Sequence, residues 1–214
     1  MKATPSMCSI VTRTRRLAVA LSALLAGVAG CSSTGPQVHL YSLMPAEIPA
    51  RVQPPGSALI PIQLELRLPA QVDQPQWLVR LADGSLMSLE QERWTGSLHD
   101  EIRQAVFEEL RAKWGIVEAR TAGGTPPLRV GLDFRRFDSV VGQEARIEGW
   151  WGLSAGANQD AYRCEWLYRE PVAGAFPALA EAHRKAIVRL ADSIGAGVVG
   201  SRSQSAGCTA SDLR

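Results

Sequence analysis

Apolar and polar residues alternate along several segments of the chain. The clearest lies between residues 60 and 68, where isoleucine or leucine occupies every second position. A period of two is typical of a β-strand with one buried face. Two shorter segments flank Asp83-Gly84, a dipeptide that favours a hairpin turn. The pattern predicts about six strands, if the hairpin of residues 76–80 and 86–90 is counted once. The other strands are expected over residues 38–43, 60–68, 128–134, 145–153 and 162–168.

Two other segments repeat apolar residues with helical spacing. Ser97 can cap the first helix with its hydroxyl, and Gly115 can end it. The second helix is expected from about Pro177 to Ile194. One stripe of each helix is apolar and must be buried. We therefore predict an α+β fold, with a mainly antiparallel sheet of about six strands and two helices packed on one face.

The first 30 residues have the features of an export signal. Residues 1–16 are polar and include four basic and no acidic side chains, and Leu17–Gly30 contains no charge. As a helix, this apolar segment would reach about 21 Å, less than the roughly 30 Å of a bilayer core. A buried core helix is the alternative, but such a helix would show a polar face. We predict a cleaved signal peptide over residues 1–30.

At the end of this signal, the small residues Val28-Ala29-Gly30 precede Cys31, and a polar stretch follows. This pattern resembles the lipobox of bacterial lipoproteins. In that family the cysteine is acylated and becomes the first residue of the mature chain. Cys31 is therefore the expected lipid anchor, with acyl groups such as palmitate, on a tether of residues 31–36. By the same resemblance, Ser32 fits export to the outer membrane of a Gram-negative bacterium, with the body in the periplasm.

The charge of the mature chain argues against nucleic-acid binding. Four of the 23 basic residues lie in the leader, so residues 31–214 contain 19 basic and 21 acidic residues. Their net charge is therefore −2. Proteins bind a phosphate backbone through clustered Lys and Arg. We expect no nucleic-acid partner.

No residue spacing indicates a catalytic, cofactor or metal site. Gly195–Gly200 matches G-x-G-x-x-G, but it follows a helix rather than a strand. We interpret it as a helix C-cap and not as a dinucleotide site. His39, His99 and His183 lack the spacing of metal ligands. We expect no catalytic residue, no cofactor and no metal, and a protein that is not an enzyme.

Cys164 and Cys208 are the cysteines that remain in the mature chain besides the expected anchor. An even pair in an oxidising compartment favours a disulfide, which contributes about 4 kcal/mol on the chain-entropy model. The alternative is that Cys164, in phase with Tyr162 and Trp166, faces the core as a free thiol. We favour the disulfide and leave the alternative open.

Trp150 and Trp151 are neighbours on one predicted strand, so their side chains point to opposite faces. If Trp151 packs inward with Ile147 and Leu153, Trp150 points outward. An outward indole suggests a surface for a partner or ligand, unless a loop covers it. We take Trp150 and Trp77 as candidate partner-binding residues.

Six blocks of the sequence follow one another in a characteristic order: "VHLYSL", "IPIQLELRLPAQVDQPQWLVR", "RWTGSLHDEIRQAVFEEL", "LRVGLDFRRF", "ARIEGWWGL" and "AHRKAIVRLADSI". This order resembles the ABC-type intermembrane transport auxiliary lipoproteins, the PqiC-like family. The resemblance covers nearly all of residues 37–195, and its most specific parts are Gln76–Arg80 and Arg93-Trp94. The aromatic pair that is usual near the first strand is reduced to Tyr41. By this resemblance, residues 37–200 would form the auxiliary domain and residues 201–214 a polar tail.

The resemblance implies a non-catalytic, outer-membrane-anchored component of a phospholipid transport system. Its partners would be an MCE-domain protein that reaches across the periplasm and, through it, an inner-membrane ABC permease with an ATPase. Some members resemble ring-forming homo-oligomers. The alternative is a periplasmic carrier that holds a lipid or other amphiphile between helix and sheet.

Overall fold

The computed structural model describes residues 35–45, 47, 58–119, 127–154 and 160–202, and the side chains of all of these except 160–162 and 202. The body of the chain is one compact unit that begins at Val38. The predicted leader, Cys31 and Cys208 lie outside the described residues.

Two helices and eight strands are found in the described residues. The strands are β1 (His39–Tyr41), β2 (Ile60–Arg67), β3 (Gln76–Arg80), β4 (Leu86–Trp94), β5 (Ile116–Glu118), β6 (Leu128–Val140), β7 (Glu144–Ser154) and β8 (Asp160–Pro171). The helices are α1 (Leu98–Glu109), which continues into a π-helical turn (Leu110–Trp114), and α2 (Phe176–Arg202).

The strands form two mixed sheets. The small sheet has the order β1-β4-β3, and the large sheet has the order β5-β2-β6-β7-β8. The α+β class is confirmed, and the strands form two mixed sheets rather than one, with antiparallel pairs joining β3 to β4, β6 to β7 and β7 to β8. Strand β1 runs parallel to β4, and β2 runs parallel to both β5 and β6. Along the chain, α1 follows β4 and precedes β5, and it carries the chain back over the sheet. For this reason β5 can lie parallel to β2.

The predicted turn and cap residues act as expected. Ser97 Oγ accepts a hydrogen bond from the backbone N–H of Asp100, 3.1 Å away, at the start of α1. Gly115 ends the π-helical turn with a φ of 65°, and Gly84 takes a φ of 85° in the β3–β4 hairpin. A positive φ costs glycine little, so these positions define where the elements stop.

The alternating positions of the large sheet separate into a buried face and an open face. Ile62 and Leu64 of β2 are buried, as are Ile147, Trp151 and Leu153 of β7. These side chains face the helices. The indole N–H of Trp151 reaches Ser193 Oγ of α2 at 3.1 Å. The predicted inward direction of Trp151 is therefore confirmed.

Helix α2 does not end at the glycine-rich segment, so the interpretation of Gly195–Gly200 as a C-cap was wrong. The helix continues to Arg202. A Cβ added at Gly195 would lie 2.4 Å from the Trp114 ring, and one at Gly197 would lie 2.1 Å from the Trp151 ring. Both distances are far below van der Waals contact. The glycines are therefore needed because two indoles pack directly against the helix backbone.

A buried hydrogen-bonded chain joins the two sheets to α2. The indole N–H of Trp77 in β3 donates to Ser139 Oγ in β6 at 2.8 Å, and Ser139 Oγ lies 2.8 Å from Nε2 of His183 in α2. The Phe137 ring stacks on His183 at a centroid distance of 4.1 Å. Burial lowers the pKa of His183 to about 3, so the imidazole is neutral in the folded protein at physiological pH.

We predict that Gly197→Ala destabilises the domain by about 1–3 kcal/mol, because the methyl group overpacks the contact with Trp151. In an unobstructed helix the same change would stabilise by about 1 kcal/mol, so the sign is informative. Urea unfolding measures the difference. Gly96→Ala is the control, since a Cβ there meets nothing within 4 Å. A Gly197→Ala protein as stable as the wild type would contradict the packing role.

We predict that acidification destabilises the folded protein through His183. The unfolded chain protonates this imidazole near its ordinary pKa of 6.5, whereas the folded chain does so only near 3. The free energy of unfolding should be unaffected by this group above pH 6.5 and should fall by about 1.4 kcal/mol per pH unit below it.

His183→Phe supplies the test, because phenylalanine does not titrate. It should be less stable than the wild type at pH 7, where Ser139 loses a partner, and the gap should narrow between pH 7 and pH 5. Asp138, whose charge acts on His183, is present in both proteins. Urea unfolding at pH 7, 6 and 5 measures both curves, and parallel curves would refute the assignment.

Candidate partner-binding face

The side of the large sheet that is turned away from the helices carries mostly charged residues. We define it as the open face. It consists of the outward residues of four neighbouring strands: Glu65, Arg67, Arg129, Asp133, Trp150, Arg163 and Glu165. All of them are exposed except Asp133 and Trp150, which are partly buried. In the described residues no helix covers this face, because both helices pack on the other side of the sheet.

Trp150 lies in the middle of the open face and is partly buried by its neighbours. The guanidinium carbon of Arg163 in β8 is 4.2 Å from the centroid of its ring. A Cβ added at Gly131 in β6 would be 3.7 Å from the same ring. The indole therefore lies flat across the strands, with one arginine stacked on it. An aromatic ring held in this way is a typical centre for a protein–protein contact.

A shallow depression of about 180 Å³ adjoins Trp150. Gly131 and Gly152 are opposite each other in β6 and β7, so backbone forms much of the local surface. Within the described residues, neither Arg67 nor Arg129 at its rim forms an ion pair. The depression is large enough for one side chain of a partner. Its lining residues are Glu65, Arg67, Arg129, Gly131, Leu132, Asp133, Trp150 and Ser154.

A chain of ion pairs borders this face where β6 approaches β3. Asp138 accepts from Arg80 at 2.7 Å and from Arg136 at 3.1 Å. Glu148 continues the chain by pairing with Arg136 at 3.3 Å and Arg146 at 2.5 Å. Burial opposes ionisation of both carboxyls, but hydrogen bonds from the arginines outweigh it and lower the pKa of Asp138 and of Glu148. The network therefore stays charged and holds this border rigid.

Trp77 does not belong to the open face, so its assignment as a partner-binding residue was wrong. Its side chain is 1% exposed and donates its only N–H to Ser139. Trp94 lies against it with a ring-centroid distance of 4.2 Å. An indole that is buried on both sides has no surface left for a partner. Trp77 instead fixes the small sheet to the large one.

Two carboxylates hold strand β1, the first strand of the domain, and the two residues that follow it. Glu92 of β4 accepts from the Tyr41 hydroxyl at 2.6 Å, and burial together with this bond raises the pKa of Tyr41 to about 12. Buried Glu101 of α1 accepts from Ser42 Oγ and from the Leu43 backbone N–H, each at 2.8 Å. These bonds tie the start of the domain to both the small sheet and α1.

A second concave surface, which we call the groove, lies between α1 and the β5 end of the large sheet. Its volume is about 1120 Å³. Met44, Leu59, Phe107 and Ile116 supply apolar surface, and charged residues such as Arg103 and Arg111 line its sides. Arg103 bonds to Glu118 and to the Leu64 carbonyl oxygen, and Arg111 has no ion pair within the described residues.

The three histidines remain apart in the structure. His39 pairs with Glu92, His99 lies at the start of α1, and His183 is in the core. Among the described side chains, no group of three or more His, Cys, Asp or Glu is arranged to hold a metal ion. None of the described helices is both long and apolar enough to cross a bilayer.

Cys164 is 1% exposed and faces the core from β8, opposite Trp151 of β7. Its predicted partner, Cys208, lies outside the described residues, so the disulfide stays a prediction.

We expect no free thiol at either Cys164 or Cys208 in the mature protein when it is denatured without reductant. Thiol titration measures this directly, with the reduced protein as the positive control. Two reactive thiols per chain, over and above Cys31, would exclude the bond.

The sequence pattern located Trp150 but not the groove. The groove depends on β5, whose three residues are too few to show a period of two. It also depends on Phe107 and Arg111, which lie off the apolar stripe of α1. The sequence gives one signal for this surface: Phe107 is an aromatic residue beside the buried positions of an amphipathic helix.

The comparisons with known proteins give a family from the sequence and a fold from solved structures. The family model described as "ABC-type transport auxiliary lipoprotein component" matches residues 41–195. A crystal structure of a Xanthomonas campestris protein superposes with a TM-score of 0.61 at 19% identity, covering 78% of this chain and 98% of that one. An uncharacterised protein gives a TM-score of 0.57 at 12% identity, covering 76% and 99%. No curated protein matches the chain significantly.

Proposed function

Because the chain belongs to the family of ABC-type transport auxiliary lipoprotein components, we propose that it is a non-catalytic docking component of an MCE-type phospholipid transport system. In this proposal the protein is anchored in the outer membrane with its body in the periplasm. The open face around Trp150 carries the proposal, because it offers a flat, charged surface with a fixed aromatic centre.

Anchoring through Cys31 gives the docking role its physical basis. Several acyl chains bind a membrane stably, since each buried methylene contributes about 0.8 kcal/mol. A tethered domain stays at a high effective concentration beside a second component of the same envelope. The bonds of Glu92 and Glu101 support this role, because they hold residues 41–43, at the start of the domain, to β4 and α1.

The proposed partner is an MCE-domain protein that spans the periplasm, which would link this lipoprotein to an inner-membrane ABC permease and its ATPase. The open face suits such a contact. It combines Arg67 and Arg129, which form no ion pair with another described residue, with a partly buried indole. Both residue types are enriched at protein interfaces. We further propose that the lipoprotein acts as a homo-oligomer.

We predict that Trp150→Ala weakens capture of the MCE-domain protein at least tenfold, because removing a central aromatic anchor costs more than about 1.4 kcal/mol of binding. The measurement is the amount of this protein that co-purifies with the full-length lipoprotein from cross-linked membranes. Leu86→Ala is the matched control, since Leu86 is an apolar residue of the small sheet with 44% exposure. Equal capture by wild type, Trp150→Ala and Leu86→Ala would contradict the assigned face.

The groove favours a second candidate function, that of an amphiphile carrier. Its position between α1 and the sheet gives an acyl chain apolar contacts with Met44, Leu59 and Phe107. Arg111 at its side can pair with an anionic headgroup. A carrier would hold its lipid through purification, whereas a pure docking domain would not.

For the docking role, we predict that the domain exported without acyl chains and purified without detergent contains no stoichiometric lipid. Native mass spectrometry followed by lipid extraction measures the bound mass. One lipid per chain would favour the carrier instead. In that event Phe107→Asp should remove the lipid, and Leu86→Asp, an equally drastic change outside the groove, should retain it.

A further inference from the structure

Exposed apolar side chains are concentrated on the small sheet. Among the described residues, eight large apolar side chains are exposed, and five of them belong to this sheet or adjoin it. Three of the five lie in the β3–β4 hairpin: Leu81 at 40%, Leu86 at 44% and Met87 at 43% exposure. We call these three residues the hairpin patch. Clustered apolar residues at a surface indicate contact with a partner or a membrane, whereas scattered ones need no explanation.

Strand β1 shows from which side the chain enters the body. It runs parallel to β4, with His39 opposite Glu92. Because β4 begins at the hairpin, with Leu86, the chain approaches β1 from the hairpin end of the small sheet. Val38 and Leu40, the other two of the five exposed residues, lie at this entry. A pull on the chain from its N-terminal side therefore acts toward the hairpin end of the sheet.

The length of chain between the predicted anchor and β1 suits a contact of the hairpin with the membrane. Eight residue steps separate Cys31 from His39, and a fully extended chain of this length spans about 28 Å at most. Six steps of β4 separate Leu86 from Glu92, which is about 20 Å in a strand. A body anchored at Cys31 can therefore bring the hairpin patch to the bilayer surface without stretching the tether fully.

The charge of the hairpin is compatible with an apolar contact and not with an electrostatic one. Asp83 is the one charged residue between Leu81 and Leu89. Its carboxylate accepts hydrogen bonds from Ser85 Oγ at 2.6 Å and from the Ser85 backbone N–H at 2.9 Å, and these bonds lower the pKa of Asp83. A hairpin with one anion is not attracted to anionic lipids, so its apolar side chains must supply the affinity.

We propose that the hairpin patch inserts among the headgroups and upper acyl chains of the bilayer that holds the anchor. This inference rests on the anchoring at Cys31 in the proposed function. A second point of contact fixes the orientation of the body on the membrane, which a single tether cannot do. The contact uses the small sheet and leaves the open face of the large sheet for the MCE-domain protein. Because the acyl chains alone retain the protein at the membrane, Leu86→Ala should leave capture of that partner unchanged.

The first experiment measures contact of the hairpin with acyl chains. An environment-sensitive fluorescent amino acid replaces Leu81 or Val199 in the full-length lipoprotein, which is reconstituted into vesicles of phosphatidylethanolamine and phosphatidylglycerol. Val199 is the matched control: it is 39% exposed, and it lies on α2 about 24 Å beyond His183, which packs against the small sheet. Lipids brominated on their acyl chains should quench position 81 roughly threefold more than position 199.

The possible outcomes separate this inference from the proposed function. A chain that does not float with the vesicles lacks the anchor, and both the anchoring and the hairpin contact would then be refuted. A chain that floats and is quenched equally at the two positions would overturn the hairpin contact alone. Emission from position 81 that is shielded from water but not quenched by bromine would also overturn it, because protein, such as a second copy of the chain, would then cover the hairpin.

The second experiment tests the apolar character of the contact. Met87→Asp should lower the quenching at position 81 to the level at position 199, because a carboxylate is costly to transfer into lipid. Val199→Asp, the same type of change at the far end of α2, should leave the quenching at position 81 unchanged. High salt should also leave it unchanged, since an apolar contact is not screened by ions. Full quenching in Met87→Asp, or loss of quenching at high salt, would refute the apolar contact.

Discussion

Among the residues that the structure describes, the large sheet buries only one of its faces, and this asymmetry determines which surface a partner can meet. Helices α1 and α2 cover the face that carries Ile62, Trp151 and the other buried alternate residues. The opposite face keeps its charges and Trp150 at the surface. An antiparallel meander such as β6–β7–β8 tolerates this, because one face of such a sheet can meet water. A partner thus finds a preformed surface and not a pocket that must open.

The covered face is rigid because separate elements are joined by specific polar contacts inside an apolar core. Trp77, Ser139 and His183 come from β3, β6 and α2, and their hydrogen bonds fix the small sheet, the large sheet and the helix relative to one another. Close contacts of Trp114 and Trp151 with the glycines of α2 further restrict the position of this helix. A docking domain benefits from such rigidity, because a preorganised surface loses little entropy on binding.

Local patterns predicted the local features well. Because the strand period is two, alternation predicted Trp151 on the inner face of the sheet and Trp150 on the outer face. Ser97 and Gly115 lie at the start and the end of the first helix, as their chemistry predicts. Non-local features were not readable. The burial of Trp77 depends on Ser139, 62 positions later. The parallel pairing of β1 with β4, and of β5 with β2, involves three-residue strands that carry no periodic signal. The glycines of α2 resembled a helix cap, although their role is to let two indoles pack against the helix. The resemblance of the segment before Cys31 to a lipobox is a short-range pattern that needs no fold to be recognised, and the anchor stays a prediction.

In the proposed function, the open face and not the groove contacts the transport partner. The most direct test is a photo-crosslinking amino acid placed at position 150 or at position 107 of the full-length lipoprotein in living cells. Irradiation should link the MCE-domain protein to the position 150 variant and give no such product at position 107. Cross-linking from position 107 with none from position 150 would contradict the account.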